Sequence, residues 1–213
     1  MSVLAIIPAA GVGVRMGGGT PKQFLSIEGV PIFVHTLRKF ISSDAIDEII
    51  LALRAEDMER AQADVDREHF AKRVRLVAGG ATRQETVARA LAETPPATEI
   101  VVVHDAVRPF VELAMIQRVV GAARKDGAAI LGIPSVDTVK QVERQIILGT
   151  IPRERIVLAQ TPQAFRYNII KEAFDRASAD GFNGTDESSL DLLAEPPHGR
   201  TGGRGRVPAE AAP

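Results

Sequence analysis

Five apolar runs, Val3–Ile7, Glu48–Leu53, Val74–Ala78, Ile100–His104 and Ala128–Ile133, are spaced along the chain with an amphipathic helical stretch in each interval. The runs are apolar nearly throughout rather than alternating, which is the pattern of strands covered on both faces. The intervening helices read as Pro31–Ser42, Glu56–Glu68, Arg83–Glu93 and Glu112–Lys125, the first with proline at its start. A chain written β-α-β-α in this way predicts a doubly wound, mostly parallel α/β sheet with right-handed crossovers. Ile100–His104, the most continuous run, is the expected central strand.

The first run leads into Pro8–Lys22, which holds five glycines and two basic residues, Arg15 and Lys22. A loop this rich in glycine brings backbone N–H groups close to a ligand, and such groups cradle anions. Loops at the carboxyl ends of parallel strands are also where open α/β sheets bind ligands. The expectation is a nucleoside triphosphate site, against the plain alternative of a surface loop. Two familiar phosphate motifs do not fit. Lys22 follows Pro21 and precedes Gln23, so the P-loop pattern fails, and Met16 stands where a dinucleotide fingerprint needs its third glycine.

Other candidates sit where strands should end. Asp105 follows the central run in His104-Asp-Ala-Val-Arg-Pro109. A carboxylate there either holds Mg²⁺ bridged to phosphates or caps a turn beside Arg108. Arg108 in turn either holds Asp105 or reaches substrate. His104 is better read as a hydrogen-bonded core residue than as a base. Gly79 and Gly80 could approach a base or ribose through their backbone, with Thr86 supplying a hydroxyl; the alternative is a simple strand-to-helix turn. Thr138–Val142 and Ile146–Leu148 read as two strands around Glu143-Arg144, forming either a projecting arm or an edge excursion, and they carry Thr138 and Lys140, with Arg153 following. Beyond them, Tyr167–Ala179 reads as a helix, and Thr185-Asp-Glu-Ser-Ser189 opens another with capping chemistry.

Composition narrows the classes. The formal net charge of −1 gives no support for a nucleic-acid binder, and the absence of cysteine removes disulfides and thiolate metal sites. No apolar run approaches the roughly 20 residues of a membrane span. A cytoplasmic protein without membrane or nucleic-acid partners is expected.

Taken together and in order, Pro8-Ala-Ala-Gly-Val-Gly-x-Arg-Met16, Pro21-Lys-Gln-Phe-Leu25, Gly79-Gly-Ala-x-Arg83, His104-Asp-Ala-x-Arg-Pro109, Asp137-Thr-x-Lys140, Thr161-Pro-Gln163 and Thr185-Asp-Glu-x-Ser189 resemble the 2-C-methyl-D-erythritol 4-phosphate cytidylyltransferases of the non-mevalonate isoprenoid pathway. The resemblance implies a Rossmann-like nucleotidyltransferase sheet with a protruding hairpin arm at about 136–152. It implies cytidylyl transfer from CTP to a sugar-alcohol phosphate, with pyrophosphate released. By the same resemblance Arg15 and Lys22 are the catalytic cations. Pro8, Ala9, Ala10, Gly11, Gly13, Gly79, Gly80, Thr86 and Asp105 bind CTP. Asp105, Arg108, Thr138, Lys140 and Arg153 serve the acceptor, and Asp105 holds Mg²⁺ or another divalent cation. The arm implies a homodimer in which Thr138 and Arg153 reach the neighbouring site. A ribitol 5-phosphate cytidylyltransferase shares much of the pattern and is the alternative within the class.

The chain departs from the family after the Thr-Asp-Glu-x-Ser helix. Members continue with a strand, an Asn-Ile-Lys-Ile/Val-Thr-like segment whose lysine lies near the phosphates, and a final helix. Here Glu195–Pro213 instead holds four Gly, four Pro and three Arg in 19 residues. That composition predicts a disordered tail after a domain spanning 1–194. The expectation is a truncated or frameshifted end, which the other reading frames of the gene would reveal. A CTP-binding protein made inactive by that loss is the alternative from outside the enzyme class.

Overall fold

The structure, a computed structural model, describes residues 2–11, 20–182, 184 and 186–194. Gly13, Arg15, Thr185 and the tail expected at 195–213 lie outside the described residues. In chain order the elements are β1 (Ser2–Pro8), β2 (Ser26–Ile27), β3 (Val30–Pro31), α1 (Ile32–Ile41), β4 (Glu48–Leu53), α2 (Met58–Glu68), β5 (Val74–Ala78) and α3 (Arg83–Ala92). There follow β6 (Thr98–Val103), α4 (Leu113–Asp126), β7 (Ala128–Pro134), β8 (Val139–Glu143), β9 (Ile146–Ile151), β10 (Val157–Arg166), α5 (Tyr167–Ala179) and α6 (Glu187–Ala194).

One six-stranded sheet carries the chain, in the order β5-β4-β1-β6-β10-β7. β5, β4, β1 and β6 are parallel, with Ile6 opposite both Ile50 and Val103. Successive side chains leave a strand on opposite faces, so an unbroken apolar run feeds two cores at once. Val3, Ala5 and Ile7 of β1 meet Phe33, Leu37 and Phe40 of α1, with α2 and α4 completing that face. Leu4 and Ile6 face Val87 and Ala90 of α3, with Phe165, Ile170 and Phe174 extending the second layer. Both faces are thereby sealed by helices, as the apolar runs require. None of the helices among the described residues is long and apolar enough to cross a membrane.

β10 is the element the sequence does not announce. It lies between β6 and β7 and is antiparallel to both. Its residues, Val-Leu-Ala-Gln-Thr-Pro-Gln-Ala-Phe-Arg, follow neither an apolar run nor a strict alternation, and Pro162 argues against a central strand. The ladder resolves the conflict. β10 pairs with β7 at Val157–Ala159 and again at Gln163–Phe165, and the register shifts between Ala159 and Gln163. Pro162, which has no N–H to give, sits in that break.

The hairpin β8-β9 stands apart as its own two-stranded sheet. The two residues closing it are Arg144 and Gln145, one position later than the sequence suggests, with φ of 45° and 71°. Positive φ at both central residues is the type I′ geometry that twists with the strands, and it normally recruits Asn-Gly. Arg and Gln adopt it against a cost of roughly 1–2 kcal/mol each. Replacing them together, Arg144→Asn with Gln145→Gly, is expected to slow amide exchange of Glu143 and Ile146, the hydrogen-bonded pair flanking the turn, about fivefold or more, read by hydrogen exchange of the intact protein. Unchanged exchange would mean that the arm is held by something other than its turn.

Candidate active site

The parallel strands all point their carboxyl ends to one edge, and the segments leaving them enclose a cavity of about 650 Å³. Pro8–Gly11 line one wall, Gly80–Arg83 and Thr86 a second, Asp105–Arg108 a third, and Ala159–Thr161 with Gln163 and Asp186 close the far side. Lys22 and Gln23 enter from the segment before β2.

Lys22 is placed by its neighbours. It opens a 3₁₀ turn, Lys22–Phe24, whose other two side chains are buried. Gln23 Nε2 donates to the Ala9 carbonyl at 2.7 Å, tying the turn to the end of β1. Phe24 packs edge-on to Phe33 at 5.4 Å, with the Arg60 guanidinium 4.4 Å above its ring. Lys22 itself lines the cavity and pairs with no described residue, so its charge is available to a ligand.

The Gly79-Gly80 turn is a close-approach site. A Cβ at Gly79 would stand 2.9 Å from both the Ala10 Cβ and the Thr86 Cγ2, so only glycine lets β5 and the first loop meet here. Gly79 lies behind the wall and Gly80 lines the cavity. Thr86 is spent on the turn: its hydroxyl donates to the Thr82 carbonyl at 2.8 Å and accepts from the Gly80 N–H at 3.1 Å. Thr82 caps α3 by accepting from the Glu85 N–H, and Glu85 accepts from the Ala81 N–H at 2.8 Å. This is a variant of the capping box, and it fixes the wall without occupying the cavity.

Asp105 is the charge centre. Its Oδ2 accepts from Arg108 Nε at 2.9 Å, and its Oδ1 from Arg83 Nε and Nη2 at 3.2 and 3.1 Å. Arg108 also donates to Gln160 Oε1. Arg83 reaches on to Glu187 Oε1 at 2.6 Å. Thr36 of α1 donates to the Ala106 carbonyl at 2.8 Å, pinning this loop from below. Asp105, one of two carboxylates lining the cavity with Asp186, is a donor that Mg²⁺ accepts when phosphates and water complete its shell. Among the described residues no group of three or more His, Cys, Asp or Glu forms a protein-only cage.

Sequence reasoning left Arg83, Gln160, Gln163 and Glu187 without roles. Gln163 donates to Asp186 Oδ2 at 2.7 Å and accepts from the Ser188 N–H. Although burial opposes it, hydrogen bonds from Gln163, Ser188 and Ser189 hold the Asp186 carboxyl below its ordinary range. The signal for these residues was present in Thr161-Pro-Gln163 and Thr185-Asp-Glu, but only β10 shows that the two segments meet. Conversely, Thr138, Lys140 and Arg153 do not line the cavity. Lys140 Nζ donates across the hairpin to Thr150, and Arg153 to the Val136 carbonyl.

His104 is fully buried, its Nε2–H donating to the Arg108 carbonyl at 3.1 Å and its ring resting 5.0 Å from Phe40. Burial pushes its pKa down from 6.5 to about 4. It is therefore a neutral scaffold for the Asp105 loop and no base at neutral pH. The unfolded chain takes up a proton below about 6.5 that the folded protein refuses until about 4. The stabilisation is complete above the higher value and is lost as pH falls between the two. From pH 7 to 4.5 this costs about 2–3 kcal/mol. Urea unfolding at both pH values is expected to show that loss in the wild type and a loss smaller by that amount in His104→Gln; equal losses would mean that the imidazole titrates normally.

The family model described as IspD: 2-C-methyl-D-erythritol 4-phosphate cytidylyltransferase matches residues 3–195. The enzyme of that name from Acidobacterium capsulatum is 54% identical over 200 residues, covering 89% of this chain and 84% of the relative. Its namesake from Solibacter usitatus is 50% identical over 201 residues, with 89% and 82% covered. Among solved structures, 4-diphosphocytidyl-2C-methyl-D-erythritol synthase from Anaerococcus prevotii superposes with a TM-score of 0.80 at 31% identity, covering 90% of this chain and 82% of that one. The cytidylyltransferase from Thermus thermophilus gives 0.70 at 32% identity, with 91% and 84% covered.

Proposed function

This chain belongs to the 2-C-methyl-D-erythritol 4-phosphate cytidylyltransferase family, and from that premise we propose that it transfers a cytidylyl group from CTP to 2-C-methyl-D-erythritol 4-phosphate in isoprenoid precursor synthesis. The products are 4-diphosphocytidyl-2-C-methyl-D-erythritol and pyrophosphate. The observation that carries the reading is the strand-end cavity, which brings together Lys22, without a partner among the described residues, and the Asp105 carboxylate between walls of closely packed backbone.

An oxygen of the acceptor phosphate attacks the α-phosphorus of CTP. That P–O bond forms as the bond to the bridging oxygen breaks, and pyrophosphate carries away the electron pair. The nucleophile is already an anion, so the protein's task is positioning and charge neutralisation rather than proton removal. Lys22 supplies one cation to the α-phosphate. Arg15, outside the described residues, is assigned the second by its place in the motif. Asp105 would hold Mg²⁺, which when bound neutralises phosphate charge. Pro8–Gly11 and Gly80, with Gly79 and Thr86 shaping the wall, form the nucleotide's seat. Arg108, at the cavity edge, faces the acceptor.

The arm supports a homodimer. Val142, Ile146, Ile147 and Leu148 are each more than half exposed, an apolar cluster of the kind that marks an interaction surface. With Thr138, Lys140 and Arg153 outside their own cavity, the reading puts them in the site of a second copy. It also puts the enzyme in the cytoplasm with its CTP supply.

Pyrophosphate release with CTP, MgCl₂ and 2-C-methyl-D-erythritol 4-phosphate tests the reaction, and ribitol 5-phosphate in parallel tests the acceptor. Release is expected with the first acceptor alone; release with neither, while CTP still binds, would overturn the reading. Lys22→Ala is expected to lower turnover about 100-fold or more while CTP affinity changes only a few-fold. Equal losses in both would make Lys22 a ground-state clamp. Mixing Lys22→Ala with Arg153→Ala chains is expected to restore activity, up to about one quarter of wild type, because each mixed dimer has one intact site. No recovery in confirmed mixed dimers would mean that the arm serves its own chain.

A further inference from the structure

Glu187 is the first residue of α6 and is only 2% exposed. Its Oε1 accepts from Arg83 Nη1 at 2.6 Å, and the remaining donors of the same guanidinium go to Asp105 Oδ1 at 3.1–3.2 Å. Its Oε2 is buried with no hydrogen-bond partner. One cation therefore lies between two carboxylates, one in the cavity and one behind its wall.

The other guanidinium on Asp105 differs. Arg108 is the more exposed, at 46% against 34% for Arg83, and its second contact is the neutral Gln160. Water screens Arg108, whereas Arg83 relies on Glu187. Burial pushes the Glu187 carboxyl up from its ordinary range, and Arg83 opposes the shift. Burial by itself would lower Arg83, but Glu187 and Asp105 more than offset this and raise it. Each member of the buried pair is tolerable only with the other present.

An unneutralised guanidinium about 3 Å from Asp105 would compete for its oxygen and repel a divalent cation, strongly so where water is excluded. We propose that Glu187 is a positioning residue that sets the cation affinity of the nucleotide site: it holds one edge of the Arg83 guanidinium and cancels its charge, so that Mg²⁺ would meet less repulsion at Asp105, whose Oδ1 Arg83 also holds. The inference rests on the reading of Asp105 as the cation's protein ligand. It gives the glutamate of the Thr-Asp-Glu motif a function although it touches neither substrate nor metal.

Calorimetric titration of the whole enzyme with CTP, repeated over a MgCl₂ series, reads cation affinity without turnover. Wild-type CTP affinity is expected to rise with Mg²⁺ to a midpoint. Glu187→Gln, which removes the charge and keeps the shape, is expected to raise that midpoint roughly tenfold. The neutral double variant Arg83→Gln with Glu187→Gln removes the competing cation as well and is expected to return the midpoint to within about threefold of wild type. A merely structural role would lower the melting temperature and weaken CTP at every Mg²⁺ level without moving the midpoint, and that result in Glu187→Gln overturns the inference. So does a double variant whose midpoint stays about tenfold high, which decides the matter if Glu187→Gln alone fails to fold. Wild-type CTP binding that ignores Mg²⁺ would overturn the assignment of Asp105 itself, and the inference with it.

Discussion

Parallel strands buried on both faces impose a direction on everything else. Their connections must cross over the sheet, and the helices doing so seal both faces, so the loops that leave the carboxyl ends collect along one edge. Pro8–Gly11 after β1, Gly79–Thr82 after β5 and His104–Arg108 after β6 meet there because β1, β4, β5 and β6 run the same way. The cavity is a consequence of strand direction before it is a consequence of any one side chain. Leu53 shows how tight the meeting is: its carbonyl accepts from the Gly79 N–H at 2.6 Å, carrying the ladder to the cavity rim.

β10 breaks that direction and contributes what the parallel strands cannot. Running antiparallel beside β6, it brings its middle, rather than a strand end, to the same edge. The register shift between Ala159 and Gln163 frees Gln160 and Thr161 from the ladder and turns them into the cavity. Gln163 then binds Asp186, which caps the start of α6 through the Ser189 N–H at 3.0 Å. A strand that looks poor by propensity is thus stabilised by its neighbours on both sides, the usual way tertiary context overrides local preference.

Charge in the site is arranged in alternating partners. Glu187, Arg83, Asp105 and Arg108 form a chain of opposite charges from the buried helix start to the cavity rim. Such a chain leaves little net charge in the wall, while Lys22 remains an unpaired cation among the described residues. A triphosphate entering the cavity meets positive charge where the chemistry needs it and a nearly neutral wall elsewhere.

The sequence by itself determined the parallel strands, their two apolar faces and the glycine-rich edge, because burial on both faces leaves an uninterrupted apolar signature in Val3–Ile7 and Ile100–Val103. It also marked Asp105 and Arg108, just past such a strand, and Lys22, at the far end of the glycine-rich stretch, as cavity candidates. Glu187 could not be read in this way. It lies 104 residues from Arg83, and its burial depends on where α6 lands. Nor could β10, whose proline-broken pattern becomes a strand only when β6 and β7 offer their edges. The tertiary structure decided these because pairing and charge neutralisation act across space, whereas hydrophobic periodicity is written along the chain.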